Sequence, residues 1–338
     1  MLRALASGLN QGRVERQARR RIGRAGDPGG PVVVGPWISE VGFEVLYWVP
    51  LLRRLVADGR LDPRRTISIT RGGAAAWYAD VADRHLELFD VFTPAEFKER
   101  NEQRAAAAGG QKHMRTTDLD REILRRFASE LPAGATMVHP SLMYNAFRYL
   151  WAWRTPPASI ARQVRYAPLP ESPLGARPDL GVDGGYVAVK AYFSDCFPDT
   201  PDNRAFLDAL LGRLAERHDV VVLTTGIEVD DHREPTVGGG RIVDARRWME
   251  PRDNLATQTR IIRGARALIT TYGGFSYLGP FVGVPSVCFY SDPNFNPTHL
   301  AMMRQAADTL GGPGFVPLHV RDLDVLHALL ATRDPTRP

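Results

Sequence analysis

The sequence predicts an α/β protein with two domains, each built on a parallel β-sheet. Its 338 residues are enough for two domains of ordinary size. In both halves, short apolar segments rich in β-branched residues alternate with segments of helical spacing, an order that predicts strands joined by right-handed helical crossovers. A proline-rich stretch over 166–185 predicts a linker between the domains.

The first domain, residues 31–165, follows a basic N-terminal tail over 1–30 that ends in the breaker cluster GDPGGP. Runs of Val, Ile and Thr mark its strands, and apolar residues at helical spacing mark its helix. In order, the predicted elements are a strand over 32–36, a helix over 44–56, and strands over 65–73 and 87–93. A polar segment over 93–117 and an aromatic-rich segment over 137–154 follow.

The second domain, residues 186–338, has the more regular alternation of strand and helix. Strands are predicted over 186–193, 219–226, 266–274 and 284–291, and helices over 203–218 and 254–265. In parallel sheets the carboxyl ends of the strands share one edge, and ligands bind there in open α/β sheets. The sequence therefore predicts two Rossmann-like domains that face a central cleft.

Charge and composition restrict the class of function. Residues 1–24 carry seven arginines and one acid, so the remaining 314 residues sum to −1 and argue against a nucleic-acid partner. No apolar run reaches the roughly 20 residues that span a bilayer, and the start has no secretory pattern. Cys196 and Cys288 form neither a disulfide framework nor a metal cluster, which predicts a cytoplasmic protein.

The arginine-rich tail has two interpretations. Its mixture of leucines and arginines is typical of an interfacial helix on an anionic membrane surface, which would place the protein at the inner face of the cell membrane. The alternative is a disordered, solvated basic tail.

A glycine turn, TTYGGFS, ends the predicted strand over 266–274. A helix that begins near Phe275 would direct free backbone N–H groups and its positive dipole end into the cleft. Gly273 and Gly274 would let a diphosphate approach the backbone, because no Cβ intervenes. The alternative is that the two glycines only form a tight turn. We favour phosphate binding, because GVP follows and two other strands end in polar residues.

Lys190 lies in the predicted strand over 186–193, where an unpaired ammonium group would be costly to bury. Its partner is expected to be Asp195 or Asp199, or else a bound phosphate assisted by Arg204. The sequence has no P-loop and no GxGxxG motif, which disfavours ATPases and dinucleotide-dependent dehydrogenases. HExxH and CxxC motifs are also absent, so neither a metal ligand nor a cofactor is predicted.

The segment IIRGARALITTYGGFSYLGPFVGVPSVCFY resembles the donor-binding domain of GT-B glycosyltransferases. It is similar in particular to the ADP-heptose:lipopolysaccharide heptosyltransferases and related enzymes of bacterial surface polysaccharides. In the first half, EVGFEVLYWVP resembles the stretch of that family in which Gly-Asp precedes an apolar run ending in Pro. On that register Glu44 takes the position of the catalytic aspartate, with Phe43 inserted before it. Leu278 stands where many GT-B enzymes have a ribose-binding glutamate, so ribose recognition must come from elsewhere.

The resemblance implies a GT-B-like fold and a nucleotide-sugar donor. In an inverting transfer, Glu44 would take the proton of the acceptor hydroxyl, and apolar neighbours would raise its pKa toward a useful range. Glu40 is the rival base, and for either residue the alternative is an acid that complements the helix dipole. Protein groups would stabilise the departing diphosphate in place of a metal. The predicted donor- and phosphate-binding residues are Lys190, Arg204, Thr225, Tyr272, Gly273, Gly274, Phe275 and Ser276.

His139, Tyr144 and Arg148 are predicted on the acceptor side, and His113 and Arg115 on a lid over the substrate. The sequence thus predicts a metal-independent, inverting glycosyltransferase that moves a sugar from a nucleotide-activated donor to a glycan or lipid-linked glycan acceptor in bacterial cell-surface polysaccharide synthesis. Two alternatives stay open: a nucleotide-sugar epimerase or hydrolase on the same fold, and a non-catalytic glycan- or nucleotide-binding protein.

Overall fold

The protein is described by a computed structural model that contains twelve α-helices among its described residues. The described ranges are 2–24, 29–110, 112–171, 174–182, 185–227, 234, 241–312 and 314–323, with side chains from residue 12 onward. The helices are α1 Leu2–Arg24, α2 Val41–Phe43, α3 Val49–Ala57, α4 Pro94–Ala108, α5 Asp118–Arg126, α6 Ser141–Ala146, α7 Arg148–Trp151, α8 Pro157–Ala161, α9 Pro201–Arg217, α10 Asn254–Arg263, α11 Leu278–Phe281 and α12 Pro297–Leu310. Parts of the predicted tail, of the linker and of the second domain after residue 323 lie outside these ranges.

Two parallel β-sheets organise the chain, as the sequence predicts. The first has the strand order β3-β2-β1-β4, with β1 Val32–Val34, β2 Thr66–Thr70, β3 Arg84–Glu87 and β4 Thr136–Val138. The second has the order β10-β9-β8-β5-β6-β7, with β5 Val187–Lys190, β6 Val220–Val222, β7 Ile242–Asp244, β8 Ala267–Thr271, β9 Ser286–Tyr290 and β10 Phe315–His319. β1 and β6 are completely buried, which is why both read as continuous apolar runs.

One predicted strand is in the wrong place. The segment 87–93 was predicted as a strand, but β3 ends at Glu87 and a 3₁₀ turn, Leu88–Asp90, follows it. The Glu87 carboxylate accepts the Phe89 N–H and so stabilises that turn. β4, β7 and β10 were not predicted. β4 and β7 are only three residues long, and β7 and β10 lie at the edges of the second sheet, where alternation is weak.

The predicted helix over 44–56 begins earlier and contains a π-helical segment. α2 leads into a π-helix, Glu44–Trp48, and this continues into α3. An i→i+5 turn holds one more residue than an α-helical turn. π-Helical turns often occur at functional sites. Every residue of the segment is buried.

The N-terminal tail is helical over α1, and the helix packs on the first domain against α6. Ala18 and Ile22 are buried in the main core, whereas Arg13, Arg16 and Arg20 are exposed. The expectation of a disordered tail is therefore wrong for α1. The apolar residues of its C-terminal half face the protein, so they are not available to enter a membrane. Among the described residues, no helix combines the length and apolarity needed to cross a bilayer.

Residues of the predicted linker are held by both domains. Buried Arg53 on α3 donates to the carbonyl of Ala167 at 2.7 Å, and its Nε donates to Asp80 at 3.0 Å. From the other side, Arg263 on α10 donates to the Leu169 carbonyl at 2.7 Å. The start of the linker is thus fixed relative to both sheets.

The two domains meet in a close backbone contact. A Cβ added to Gly42 would lie 2.7 Å from the Cα of Gly274, and one added to Gly274 would lie 2.5 Å from the backbone nitrogen of Gly42. Nearby, the Leu255 N–H donates to the Gly72 carbonyl at 2.7 Å. One apolar cluster includes residues of both domains. At this point the predicted open cleft is instead a packed interface.

Substitution of Gly42 by alanine tests this contact. We expect Gly42→Ala to lower the free energy of unfolding by about 1–3 kcal/mol, because the new methyl group overlaps the backbone of the other domain. Denaturant unfolding would measure the change.

Gly212→Ala is the matched control, because Gly212 lies in α9, is exposed and has no atom within 4 Å of an added Cβ. It should raise stability by about 0.5–1 kcal/mol through helix propensity. Equal effects of the two substitutions would show that the domains do not press together at Gly42.

Candidate functional site

Each sheet has a point at which the strand order reverses, and both points carry polar residues. In the first sheet β1 lies between β2 and β4, and in the second β5 lies between β6 and β8. Crevices at the carboxyl ends of such strands are the usual ligand sites of open α/β sheets. The helix with Glu44 follows β1, and Lys190 is the last residue of β5.

Lys190 belongs to an anion-binding site that the structure fills with a carboxylate. Its Nζ donates to Glu234 Oε1 at 2.7 Å and to the Leu223 carbonyl at 2.7 Å. The Thr225 N–H donates to Glu234 Oε2 at 2.8 Å, and the Gly226 N–H donates to the same atom at 3.1 Å. The Thr225 hydroxyl donates to Oε1 at 3.1 Å. An ammonium group, a hydroxyl and two backbone amides therefore converge on one anion.

The partner of Lys190 is thus Glu234, and the alternative partners Asp195 and Asp199 were wrong. Burial raises the pKa of Glu234, but the Lys190 charge and the amides of Thr225 and Gly226 outweigh burial and hold the pKa below its usual value. Glu234 is therefore ionised at neutral pH. No pattern in the sequence marks Glu234 as the partner of Lys190, because the two residues are 44 positions apart.

Two further predicted phosphate ligands have different positions. The Phe275 ring lies 5.2 Å from Lys190 Nζ, a cation–π contact that joins the end of β5 to the glycine turn. Arg204 is exposed and pairs with Asp199, with Nη2 2.8 Å from Oδ2. Arg204 is not among the groups that bind Glu234. The prediction that it assists Lys190 is not supported by its position.

The glycine turn is filled by protein atoms. A Cβ added to Gly273 would lie 2.1 Å from the Tyr192 hydroxyl, and the space beside Gly274 is taken by Gly42. The Ser276 hydroxyl donates to the Gly273 carbonyl at 2.6 Å and so stabilises the 3₁₀ turn Gly274–Tyr277. The close approach that these glycines permit is therefore between protein segments, and the prediction of a diphosphate in this space is wrong for the structure as it stands.

Tyr272, also predicted to bind the donor, is buried beside Phe295, with ring centroids 4.3 Å apart. Its backbone N–H donates to the Phe289 carbonyl at 2.8 Å. Packing explains this tyrosine.

Glu44 is completely buried at the interface of the domains. The Tyr78 hydroxyl donates to Glu44 Oε1 at 2.6 Å, while Oε2 has no hydrogen-bond partner among the described residues. Tyr78 ends the 3₁₀ turn Ala74–Tyr78, which packs against α10 of the second domain. In that turn the Trp77 indole N–H donates to the Thr259 hydroxyl at 3.1 Å.

Burial raises the pKa of Glu44 to about 8. The charge of Arg71 and the hydrogen bond from Tyr78 act in the opposite direction, and Glu87 raises the pKa further. The expectation of a carboxyl group with a raised pKa is therefore confirmed. Glu40, the rival base, is exposed at the N-cap of α2.

Two neighbours of Glu44 were not predicted. Arg71 follows β2 and is buried, with Nη2 donating to the Ser39 carbonyl at 2.7 Å and Nε without a partner among the described residues. Glu87 accepts the N–H groups of Gly72 and Gly73 at 2.8 and 2.9 Å, and burial raises its pKa to about 7. Arg71 directly follows the strand TISIT, and this position at a carboxyl strand end could have marked it as a candidate site residue.

The predicted acceptor-side residues lie near the first sheet. Buried Tyr144 stacks with Trp37 and shares a hydrogen bond of 2.9 Å with Ser39. His139 follows β4, and its ring lies against that of His113. His113 is completely buried, so the prediction that it lies on a lid over the substrate is wrong. Arg148 is half-buried at the start of α7.

Arg115, the second residue of the predicted lid, is exposed. Its Nη2 donates to the Ala107 carbonyl at 3.2 Å.

The titration of Glu44 predicts a pH-dependent stability. In the unfolded chain the carboxyl ionises near 4.5, whereas in the folded protein it ionises near 8. Between these values the folded state holds the proton more tightly, so the free energy of unfolding falls as the pH rises from about 4.5 to about 8. We expect Glu44→Gln to remove this loss. The melting temperature of the variant should exceed that of the wild type by an amount that grows from about pH 5 to about pH 8.5. At the upper end the difference should correspond to at most a few kcal/mol in the free energy of unfolding. Calorimetry over this range measures it.

Glu102→Gln, which replaces an exposed acid on α4, is the control and should follow the wild type at every pH. A constant difference between Glu44→Gln and wild type across the range would contradict a raised pKa at Glu44.

No protein-family model matches the sequence, and no curated protein matches it. Similarity to solved structures is found. A family 9 glycosyl transferase from Veillonella parvula DSM 2008 shares 13% identity over 92% of this chain and 91% of that chain, with a TM-score of 0.46. The E. coli heptosyltransferase WaaC with ADP shares 14% identity over 90% of this chain and 99% of that chain, with a TM-score of 0.43.

The iron-containing dodecameric glycosyltransferase TibC from enterotoxigenic E. coli H10407 shares 13% identity over 77% of this chain, with a TM-score of 0.44. This chain covers 58% of the TibC chain, a little over half its length. These similar structures are glycosyltransferases, but each TM-score is below 0.5, so the function of this chain must be argued from its own residues.

Proposed function

We propose that this protein is a glycosyltransferase that uses a nucleotide-activated sugar and inverts the configuration of the transferred sugar. The observation that carries the proposal is the anion site of Lys190, Thr225 and Gly226 at the carboxyl ends of β5 and β6. A buried carboxyl group with a raised pKa, Glu44, lies two residues after Gly42, which contacts the glycine turn; Phe275 of that turn lies 5.2 Å from Lys190 Nζ. A sugar transfer needs an anion site for the leaving diphosphate and a base for the acceptor hydroxyl.

The anion site supports the donor half of the proposal. A diphosphate offers the same charge-assisted acceptors as the Glu234 carboxylate, with more charge and more oxygen atoms. We infer that the donor displaces Glu234 and that its phosphates accept from Lys190 Nζ, the Thr225 hydroxyl and the amides of Thr225 and Gly226. As the bond from the anomeric carbon to the diphosphate breaks, negative charge grows on the phosphate oxygens, and these donors stabilise it. The diphosphate would therefore need no bound metal.

Glu44 supports the acceptor half. Its Oε2 has no hydrogen-bond partner among the described residues, and such an atom is suited to accept a bond from an acceptor hydroxyl. When that hydroxyl attacks the anomeric carbon from the face opposite the diphosphate, Glu44 takes its proton and the sugar is transferred with inversion. A base with a pKa of about 8 is partly ionised at neutral pH and strong enough to accept the proton.

The contact of Gly42 with Gly274 means that substrates enter when the domains separate. Glu44, Tyr78 and Arg71 are buried, and the π-helix of Glu44 and the 3₁₀ turn of Tyr78 both pack on the second domain. Closure of the domains would therefore exclude water from the reacting groups. We propose that donor and acceptor bind to an open form and that the domains close around them.

We further propose that the acceptor belongs to bacterial cell-surface polysaccharide synthesis and is presented at the inner face of the membrane. The exposed arginines of α1, at positions 13, 16 and 20, lie on one side of the helix and line a shallow depression together with Gln17. Anionic lipid headgroups would bind such a row of guanidinium groups. Attachment would be electrostatic, because Ala18 and Ile22 are buried in the protein.

Three variants test the proposed donor site and base. Melting temperature is measured with UDP-, GDP-, ADP-, CMP- and dTDP-sugars without added metal, and the nucleotide that stabilises the protein is then used in a transfer assay. Lys190→Ala should lose the stabilisation. Glu234→Gln should bind the nucleotide more tightly, because the competing carboxylate is gone. Glu44→Gln should bind it normally but transfer sugar about 10²–10⁴-fold more slowly.

Each outcome can contradict a separate part of the proposal. Weaker nucleotide binding by Glu234→Gln would make Glu234 a ligand contact rather than a competitor. Normal transfer by Glu44→Gln would remove it as the base. Turnover of the sugar nucleotide without any acceptor would favour an epimerase or hydrolase, and no stabilisation by any nucleotide would favour a glycan-binding role. Arg204→Ala is the matched control for Lys190→Ala and should leave binding unchanged.

Membrane attachment is tested with Arg13, Arg16 and Arg20 changed together to glutamine. We expect this variant to lose co-sedimentation with vesicles that contain anionic lipid, because each arginine near the surface contributes about 1 kcal/mol. Wild-type binding should weaken with added salt.

A control variant changes Arg125, Arg213 and Arg217, which are exposed elsewhere, to glutamine. It has the same net charge as the test variant and should still co-sediment. Equal binding by both variants would show that α1 does not form the membrane surface.

A further inference from the structure

Three buried side chains that the proposed transfer does not use meet in the first domain, near the end of β4. His113 lies between α4 and α5, Asp120 lies in the first turn of α5, and His139 follows β4. His113 Nε2 is 2.9 Å from Asp120 Oδ1, and His139 Nε2 is 3.3 Å from the same oxygen. The two imidazole rings are 4.4 Å apart and nearly perpendicular. Two nitrogens and a carboxylate thus converge from three parts of the chain.

The hydrogen bonds of the described residues leave polar atoms of this cluster unsatisfied. Asp120 Oδ2 accepts the N–H and the hydroxyl of Thr117 at 2.6 and 2.7 Å, and it also hydrogen-bonds with His113 Nε2 at 3.0 Å. Asp120 Oδ1 and His139 Nε2 have no hydrogen-bond partner among the described residues, and the three side chains are almost completely inaccessible to solvent. Buried polar atoms normally have partners, so these atoms indicate a bound species.

We propose that His113, Asp120 and His139 bind one divalent first-row transition-metal ion. The three ligand atoms lie within 4.8 Å of one another. Ligands about 2.0–2.2 Å from a common ion are roughly 2.9–3.4 Å apart in tetrahedral or octahedral arrangements, which matches the 2.9 and 3.3 Å separations from Asp120. Two imidazole nitrogens favour Zn²⁺, Fe²⁺ or Co²⁺ over Mg²⁺ or Ca²⁺, which prefer oxygen ligands.

Ser141 orients one ligand. Its hydroxyl is 2.8 Å from His139 Nδ1, and its backbone N–H donates to the same nitrogen at 3.2 Å. Because Nδ1 accepts, the ring proton lies on Nε2, and binding of an ion at Nε2 would release this proton. Metal-binding histidines usually have a hydrogen-bonding partner on the second ring nitrogen.

Three protein ligands leave coordination positions open, and a cavity of about 250 Å³ is lined by residues next to the cluster in the chain, among them Lys112 and Met114 on either side of His113. Thr117, which donates to Asp120, lines this cavity together with Arg104, Lys112 and Arg115. The basic lining favours an anion or hydroxide as the additional ligand of the ion.

The metal would also fix the segment that carries Lys112. Lys112 Nζ lies 6.0 Å from the centre of the Phe43 ring, one residue before Glu44. Binding of His113 to the same ion as His139 would tie this segment to the end of β4. The site is distinct from the proposed donor site, so its test does not depend on whether the protein transfers sugar.

Metal binding is measured directly on the untagged full chain after treatment with EDTA and dialysis. Titration with Co²⁺ should saturate at about one equivalent and give visible absorption bands of a nitrogen- and oxygen-ligated ion. Zn²⁺ should compete for the site and raise the melting temperature, whereas Mg²⁺ should not. His113→Ala and Asp120→Asn should each weaken Co²⁺ binding at least tenfold.

His218→Ala, which changes a histidine at the end of α9, is the control and should bind Co²⁺ like the wild type. The wild-type titration keeps the proposal testable if a cluster variant fails to fold. The absence of a stoichiometric Co²⁺ spectrum and of stabilisation by Zn²⁺ would overturn the proposal and leave the cluster as a hydrogen-bonded one. Unchanged binding in both His113→Ala and Asp120→Asn would also overturn it.

Discussion

The contact between Gly42 and Gly274 is the constraint on which the rest of the structure depends. Two backbones can approach this closely only where neither residue has a side chain. The contact lets the apolar surfaces of both domains join in one core, and it sets the position of the helix that carries Glu44. The linker contacts of Arg53 and Arg263 hold the same closed arrangement from another side.

Closure explains why the two charged parts of the proposed site have their own neutralising groups. Glu44 is buried and its protonated form is favoured, while Lys190 is buried and is paired with Glu234. A lone charge of either sign would be costly in such a place. The closed protein thus holds both reactive groups in a neutralised form, and substrate binding would exchange the internal partners for external ones.

The sequence was a good guide to the elements with strong local patterns. Buried strands such as β5 and β6 are rich in valine, and the two-domain α/β class follows from the alternation of such strands with helices. Lys190 was correctly singled out because a lysine at the end of such a strand must have an anionic partner. The partner of Lys190 was not identified, because Glu234 lies 44 residues further along the chain.

Other parts could not be predicted because tertiary contacts decide them. The glycines at 273 and 274 suit a phosphate and a protein backbone equally well, and only the position of Gly42 selects between the two. His113, Asp120 and His139 have no motif spacing, so their convergence depends on how α5 and β4 pack. An apolar side on α1 is compatible with a membrane and with packing on the first domain, and the sequence alone does not select between them.

The π-helical segment Glu44–Trp48 has a consequence for the length of the chain at this point. Removing any one residue from it would restore α-helical hydrogen bonding and rotate everything before it by about 100° relative to α3. Gly42 would then turn away from Gly274, and Tyr78 would lose its partner. Between β1 and α3 the chain is therefore intolerant of single-residue insertions and deletions, whereas exchanges between apolar side chains of similar size alter neither the helical phase nor the interface.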